Sequence, residues 1–213
     1  MLEYYRHYFT DKRFLLTACV AVLGLALSLV VNYYAGTYAV RSASNSVTDI
    51  ILNNTPVFNV DGIFINGAIV FWIFVCILLA RDLQKMPFTF KSIALFVILR
   101  SVFVSLTHIA PFPVQSPVVI GYLLRDITFG ADLFFSGHTG LPYLLALIFW
   151  EHRLIRWLFL CCSVLFGVVV LLGHLHYSID VLSAFFITYS IFHIAERLFV
   201  SDRRLFYHGL LRQ

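Results

Sequence analysis

The chain has 213 residues, of which 61% are hydrophobic and only 12% charged, with a mean hydropathy of +0.89. A soluble domain is about 25% charged, so this balance excludes a water-soluble globular enzyme, a disordered chain, a nucleic-acid binder and a disulfide scaffold. The net charge of +4 reports membrane topology in such a chain rather than a polyanionic partner.

A membrane-spanning helix needs about 20 mostly apolar residues. Stretches poor in Asp, Glu, Lys and Arg predict six of them, over residues 14–35, 62–81, 91–110, 133–151, 157–174 and 178–199. The expected fold class is all-α: one polytopic membrane domain over residues 1–213, built as a six-transmembrane-helix bundle. Arg13 opens the first span, and no small-x-small cleavage site follows a short apolar core, so it reads as a retained span. The longest connection, residues 36–61, contains Asn53-Asn54-Thr55, a glycosylation acceptor tripeptide of a kind that is common by chance. The third span is interrupted by Arg100 and runs into prolines from Pro111. Cys19, Cys76, Cys161 and Cys162 fall in apolar runs without zinc or redox spacing, and read as buried small side chains.

Counting Lys and Arg sets the topology. The N-terminal arm, the second and fourth connections and the C-terminal tail hold twelve of them, against only Arg41 and Arg125 in the other three connections. Such a bias places both termini in the cytoplasm and the third and fifth connections outward, in the periplasm, the cell exterior or a lumen.

Polar residues inside a membrane are costly and mark functional sites. Two clusters stand out: Ala131-Asp132-Leu133-Phe134-Phe135-Ser136-Gly137-His138-Thr139-Gly140, and Gly173-His174-Leu175-His176-Tyr177-Ser178-Ile179-Asp180-Val181. Both sit at the outward ends of their helices by the charge count. In the second, His176 and Asp180 share a helix face if the helix has begun there. Asp180 then fixes the His176 tautomer and leaves the other ring nitrogen free as nucleophile or base, the logic of the Ser-His-Asp triad. In the first, Ser136, Gly137 and His138 stand at a helix start, where backbone N–H groups and the dipole favour a phosphate. His138 can protonate a leaving oxygen. His174 is expected only to line the fifth connection, and His193 to pack or to bond between helices. His7, His152 and His208 are expected to be solvated. No Cys or Glu completes a metal set.

The strings ADLFFSGHTG and HYSIDV, about 40 residues apart, resemble the two signature motifs of sphingomyelin synthases. These are relatives within the type 2 phosphatidic acid phosphatase superfamily. Weaker similarity covers Arg100, Thr107, Pro111 and Pro113. The resemblance spans roughly residues 90–199. The synthases' early Pro and Asp motif is degraded here, around Pro56 to Asp61, and their N-terminal helical domain is missing. The resemblance implies that His176 attacks phosphorus to give a phospho-histidine while diacylglycerol leaves, and that Asp180 orients His176. It implies that His138 serves as acid for the leaving oxygen and then as base for the acceptor. Asp132 would shape or polarise the site, with Ser136, Gly137 and Tyr177 beside the phosphate. No metal and no other cofactor is implied.

Ordinary phosphatases of this superfamily carry Ser-Arg six and seven residues before the second histidine, where this chain has Val169 and Val170, and Lys-x6-Arg-Pro is absent too. A phosphodiester, with about one negative charge, needs fewer cations than a monoester. Arg100 and Arg125 are the nearest candidates for that charge, although Arg100 can instead pair with an intramembrane acid or snorkel, and Arg125 can pair with Asp126. The expected activity is therefore phosphodiester head-group transfer from a glycerophospholipid to a lipid alcohol such as ceramide or diacylglycerol. Membrane lipids are its partners, and no nucleic acid is. The alternative is a lipid phosphatase or phospholipase C-like hydrolase using the same residues with water. A six-helix channel or transporter with relic motifs fits less well, since no inverted repeat is visible. The compact core suggests a bacterial inner membrane.

Overall fold

The computed structural model describes residues 2–116 and 134–210. Among these, all regular structure is helical. Helix α1 covers Leu2–Thr10, α2 Lys12–Ser42, α3 Gly67–Arg81, α4 Met86–Leu106, α5 Gly137–Ile148, α6 Arg153–Leu172, α7 Ser178–Leu198 and α8 Val200–His208. A π-helical turn, Gly62–Asn66, leads directly into α3.

Local chemistry sets several of these boundaries. Asp11 caps α2 by accepting the Phe14 N–H at 2.7 Å. Pro87 lies in the first turn of α4, where its missing N–H costs no helical bond. Ser136 caps α5, so the helix expected from residue 133 is described only from Gly137. It ends at Ile148 rather than 151, where the chain turns through Phe149 to Glu151. At 12 residues it is about 18 Å long by helical rise, short of a bilayer core. Among the described residues, five helical segments are long and apolar enough to cross: Lys12–Ser42, Gly62–Arg81, Leu83–Leu106, Arg153–Leu172 and Ser178–Leu198.

The short α5 lies at the centre. It packs against α6 and α7, and α4 packs along α2. Phe96, Phe135, Leu144, Leu145, Phe159 and Ala184 are sealed in the resulting core. Leu16, Leu23, Val70 and Phe186 face outward from the bundle, as lipid-facing side chains do. Hydroxyls are accommodated by bonding within their own helix. Thr89, Ser92 and Ser101 donate to the carbonyls of Lys85, Phe88 and Val97, which satisfies them without water.

The cysteines correct an expectation. Cys19, Cys76 and Cys161 are exposed on the outer face of the bundle and Cys162 is half-buried. A thiol is apolar enough to face lipid, so an apolar run does not separate lipid-facing positions from core ones.

The two ends of the bundle differ. One end gathers α1, α8 and the turn Leu83–Lys85. Lys91 there donates to Asp202 at 2.7 Å and to Thr17 at 2.8 Å. Lys85 reaches Asp82 at 2.7 Å and His152 at 2.9 Å. The other end is formed by residues 43–61, 107–116 and 173–177. These interlock through Ser44 and His108, Val47 and Tyr177, and Ser116 and Gly173.

Candidate functional site at the loop end of the bundle

The two motif segments meet at this second end. The Ser136 N–H donates to the Asp180 carbonyl at 3.1 Å, joining the start of α5 to the start of α7. Its side chain accepts from the Thr139 N–H at 3.4 Å. Of the N–H groups at Ser136, Gly137 and His138, that of Ser136 is thus already in use. Ser136 is fully buried and Gly137 partly so.

Asp180 is 1% exposed. Its Oδ2 accepts the Tyr177 N–H at 2.9 Å and lies 3.5 Å from Nδ1 of His176. The two would share a helix face had the helix begun at His176, but α7 begins at Ser178. His176 therefore stands just before the helix, and Asp180 reaches back over its first turn. The reason is capping. Asp180 satisfies the N–H of Tyr177, which ends helical geometry there. One carboxylate thereby closes the helix and fixes the imidazole beside it.

His138 is half-buried at the first turn of α5. Phe64, from the π-turn, stacks on its ring at 4.1 Å with 27° between the planes, and Phe166 meets it edge-on at 5.9 Å. His176 and Arg100 both lie within electrostatic range of this ring. His138, His176 and Asp180 are thus brought to one end of the bundle by two chain segments, the starts of α5 and α7.

Arg100 is buried in α4. Its Nε donates to the Phe135 carbonyl at 2.9 Å, and Nη1 lies 3.5 Å from Asn32 Oδ1. Through the bond to Phe135 it holds the chain just before Ser136. A Cβ at Gly137 would lie 3.5 Å from Arg100 Nε, in ordinary van der Waals contact, so the guanidinium runs alongside the helix start. Asp132 and Arg125 lie outside the described residues.

Tyr177 is buried and braces the loops. Its hydroxyl donates to the Ala110 carbonyl at 2.9 Å and receives the Val47 N–H at 3.3 Å. His174 adopts a left-handed backbone at φ 54°. Its Nδ1 lies 3.1 Å from the Val114 carbonyl and its Nε2 3.4 Å from Thr55 Oγ1, so it ties two loops together. His193 bonds within its own helix to Glu196 at 2.9 Å, not between helices, and Glu196 continues to Arg203 at 2.6 Å. His152 is not merely solvated, since it contacts Lys85. Among the described residues no three His, Cys, Asp or Glu side chains gather as a metal would require.

Three participants escaped the sequence reading: Asn32, Phe64 and Asp49. Asp49 is buried at 7% exposure in the connection between α2 and α3. Its Oδ1 accepts the N–H groups of Ile51 and Leu52 at 2.8 and 3.1 Å. Its Oδ2 accepts the Ser178 N–H at 2.7 Å and the Ser178 hydroxyl at 2.8 Å. Burial by itself raises the Asp49 pKa, but the bonds from Ser178, Leu52 and Ile51 outweigh it and hold the carboxyl below its ordinary value. The sequence signal for Asp49 is its capacity for an Asx-type contact to the N–H groups that follow it.

The fold and the site together define a multi-span helical membrane protein with a His/His/Asp cluster at one end of the bundle. Residues 130–197 match the model of the family described as PAP2 superfamily C-terminal. The match takes in both motif segments but less than half of the chain. It supports the PAP2 superfamily, and with it phosphatase- or phosphotransferase-type chemistry on membrane lipids, at a coarser level than the sphingomyelin synthase-like subfamily. No curated protein and no solved structure matches the chain.

Proposed function

We propose that the chain is a sphingomyelin synthase-like phosphotransferase, moving a phospho-alcohol head group from a glycerophospholipid to a lipid alcohol such as ceramide or diacylglycerol. The observation that carries this reading is the packing of Val169 and Val170. They stand where phosphatases of the superfamily would carry Ser and Arg, and they are buried with Val60, Phe64 and Val181 in an apolar cluster. Neither valine can meet a monoester's second charge, whereas a diester needs only one cation. Arg100, beside Gly137, suits that single charge.

In this mechanism the ring nitrogen of His176 turned away from Asp180 attacks phosphorus. The bond to the diacylglycerol oxygen breaks, and that oxygen takes the proton from His138. Asp180 stabilises the His176 ring as it becomes positive. The acceptor hydroxyl then gives its proton to His138 and attacks the phospho-histidine, which restores the free imidazole. Asp132 and Arg125 are proposed as further phosphate-side residues. The chain is proposed to act as one six-helix membrane unit, with both termini cytoplasmic and the site on the outward side, in a bacterial inner membrane.

A product assay in liposomes tests the reading. Labelled ceramide and labelled diacylglycerol are offered with phosphatidylcholine, phosphatidylethanolamine, phosphatidylglycerol and phosphatidylinositol in turn. A new labelled phospholipid is expected, with turnover reduced at least ~10³-fold in His176→Ala. Release of a water-soluble phospho-head-group alone would make the protein a hydrolase. Unchanged turnover in the variant would remove His176 from the mechanism.

A further inference from the structure

The turn that carries His176, residues 173–178, is held from two sides. From residues 107–116, the Ser116 N–H donates to the Gly173 carbonyl at 2.9 Å, the Gln115 amide donates to the His174 carbonyl at 3.1 Å, and Ala110 accepts from Tyr177. From residues 43–51, the backbone N–H of Val47 meets the Tyr177 hydroxyl, and the Asp49 carboxylate takes both donors of Ser178. Asp49 is the only charged group in this set of contacts. It is buried, and each of its oxygens accepts two hydrogen bonds.

Its placement has a direct consequence. Ser178 is the first residue of α7, so its N–H is one of those a helix start leaves without an internal partner. A carboxylate at that point satisfies the N–H and complements the helix dipole. Asp180 satisfies the N–H of Tyr177. The two carboxylates therefore close consecutive N–H groups on either side of the Tyr177–Ser178 step, immediately after His176. With the Asp49 bonds lost, Ser178 becomes free to leave its turn, and the His176 ring would no longer be held against Asp180.

We propose that Asp49 is a positioning residue for the transfer reaction: by gripping the Ser178 N–H and hydroxyl, it fixes the entry turn of α7 and so the direction in which His176 faces. The proposal rests on the reading of His176 as the nucleophile. Asp49 touches neither substrate nor reacting atoms; it acts through Ser178. Asn is a poor substitute, because its amide nitrogen would face N–H or O–H donors on one of its two arms.

The experiment compares the full-length wild type with Asp49→Asn and Ser178→Ala in liposomes, by two independent readouts. The first is hydrogen exchange at the backbone amides of residues 177–181, which needs no turnover. The second is kcat and KM for head-group transfer, with the melting temperature recorded alongside. Asp49→Asn is expected to speed exchange at these amides at least ~10-fold, leave α4 and α5 unchanged, and lower kcat at least ~10-fold with KM nearly constant. Ser178→Ala keeps the backbone N–H and should show a smaller change of the same kind. Wild-type exchange in Asp49→Asn would overturn the grip. Faster exchange with unchanged kcat would overturn its role in positioning His176. Should Asp49→Asn fail to fold, Ser178→Ala decides by the same criteria. A wild-type protein that transfers nothing would sink the transferase reading, while the exchange data would still decide the grip.

Discussion

Asp180 performs two tasks with one oxygen: it accepts the Tyr177 N–H and faces the His176 ring. The tasks separate by substitution. Asp180→Asn can still accept from Tyr177 but loses the charge that stabilises a positive imidazole. It should melt close to wild type while transfer falls at least ~10²-fold. Asp180→Ala loses the cap as well and should cost roughly 1 kcal/mol of stability in addition. Thermal melts and initial rates on the same preparations check both. At Gly140 the constraint is steric. A Cβ there would lie 2.7 Å from Phe96 Cζ and 2.9 Å from Thr188 Oγ1, both fully buried. Gly140→Ala should destabilise by about 1–3 kcal/mol, read as a lower melting temperature, because neither neighbour has room to move.

At the scale of elements, the long helices were legible because lipid-facing and core positions are both apolar, which leaves continuous hydrophobic runs. α5 was less so. Its end at Ile148 comes from a turn through Phe149 and Trp150, residues that hydropathy counts as more of the same helix. The pair His176 and Asp180 has helical spacing, yet a capping carboxylate reaches back across a turn at that same spacing. The histidines and Asp180 were legible as costly polar groups in apolar surroundings. Asn32, Asp49 and Phe64 were not, because each acts through a contact made far along the chain, and such pairings leave no periodicity. The turn Leu83–Lys85 shows a different element-scale coupling. Burial first, and then the Lys85 ammonium, hold His152 below the ordinary imidazole value, against the opposing pull of Asp82 and Glu151. The folded state therefore binds this proton less readily than the unfolded chain. Stability from this site is full above about pH 6.5 and declines as pH falls below it. The melting temperature should drop between pH 7 and pH 5.5 by more in the wild type than in His152→Gln.

For the whole molecule, the segregation of its two ends is the governing feature. A salt bridge joins α4 to α8, and hydrogen bonds from Tyr4 to Asp82 and from Tyr8 to Gln84 tie α1 to the turn Leu83–Lys85, at the end that holds both described termini. The His/His/Asp cluster sits at the other end, under loops drawn from three parts of the chain. A charge bias of twelve to two matches this division, and the topology reading predicts its sidedness. A cysteine introduced at Asn59 should react with a membrane-impermeant thiol reagent on intact cells, and one introduced at Arg204 only after the membrane is opened. The reverse pattern would turn the protein over and place the cluster inside. Lipid-facing native thiols at Cys19, Cys76 and Cys161 leave a low background for a water-borne reagent.

The ring over His138 comes from a π-helical turn, Gly62–Asn66, that holds more residues per turn than the α-helix following it. Chain length, and not only residue identity, therefore sets what covers this histidine. Loss of a single residue within 62–66 would let the turn relax to α pitch and rotate the preceding chain by about 100° against α3, carrying Phe64 off the imidazole. Exchange of Phe64 for another flat ring would leave the cover in place. Between relatives of this chain, a one-residue gap in the alignment here would signal a larger change around the His/His/Asp cluster than most substitutions.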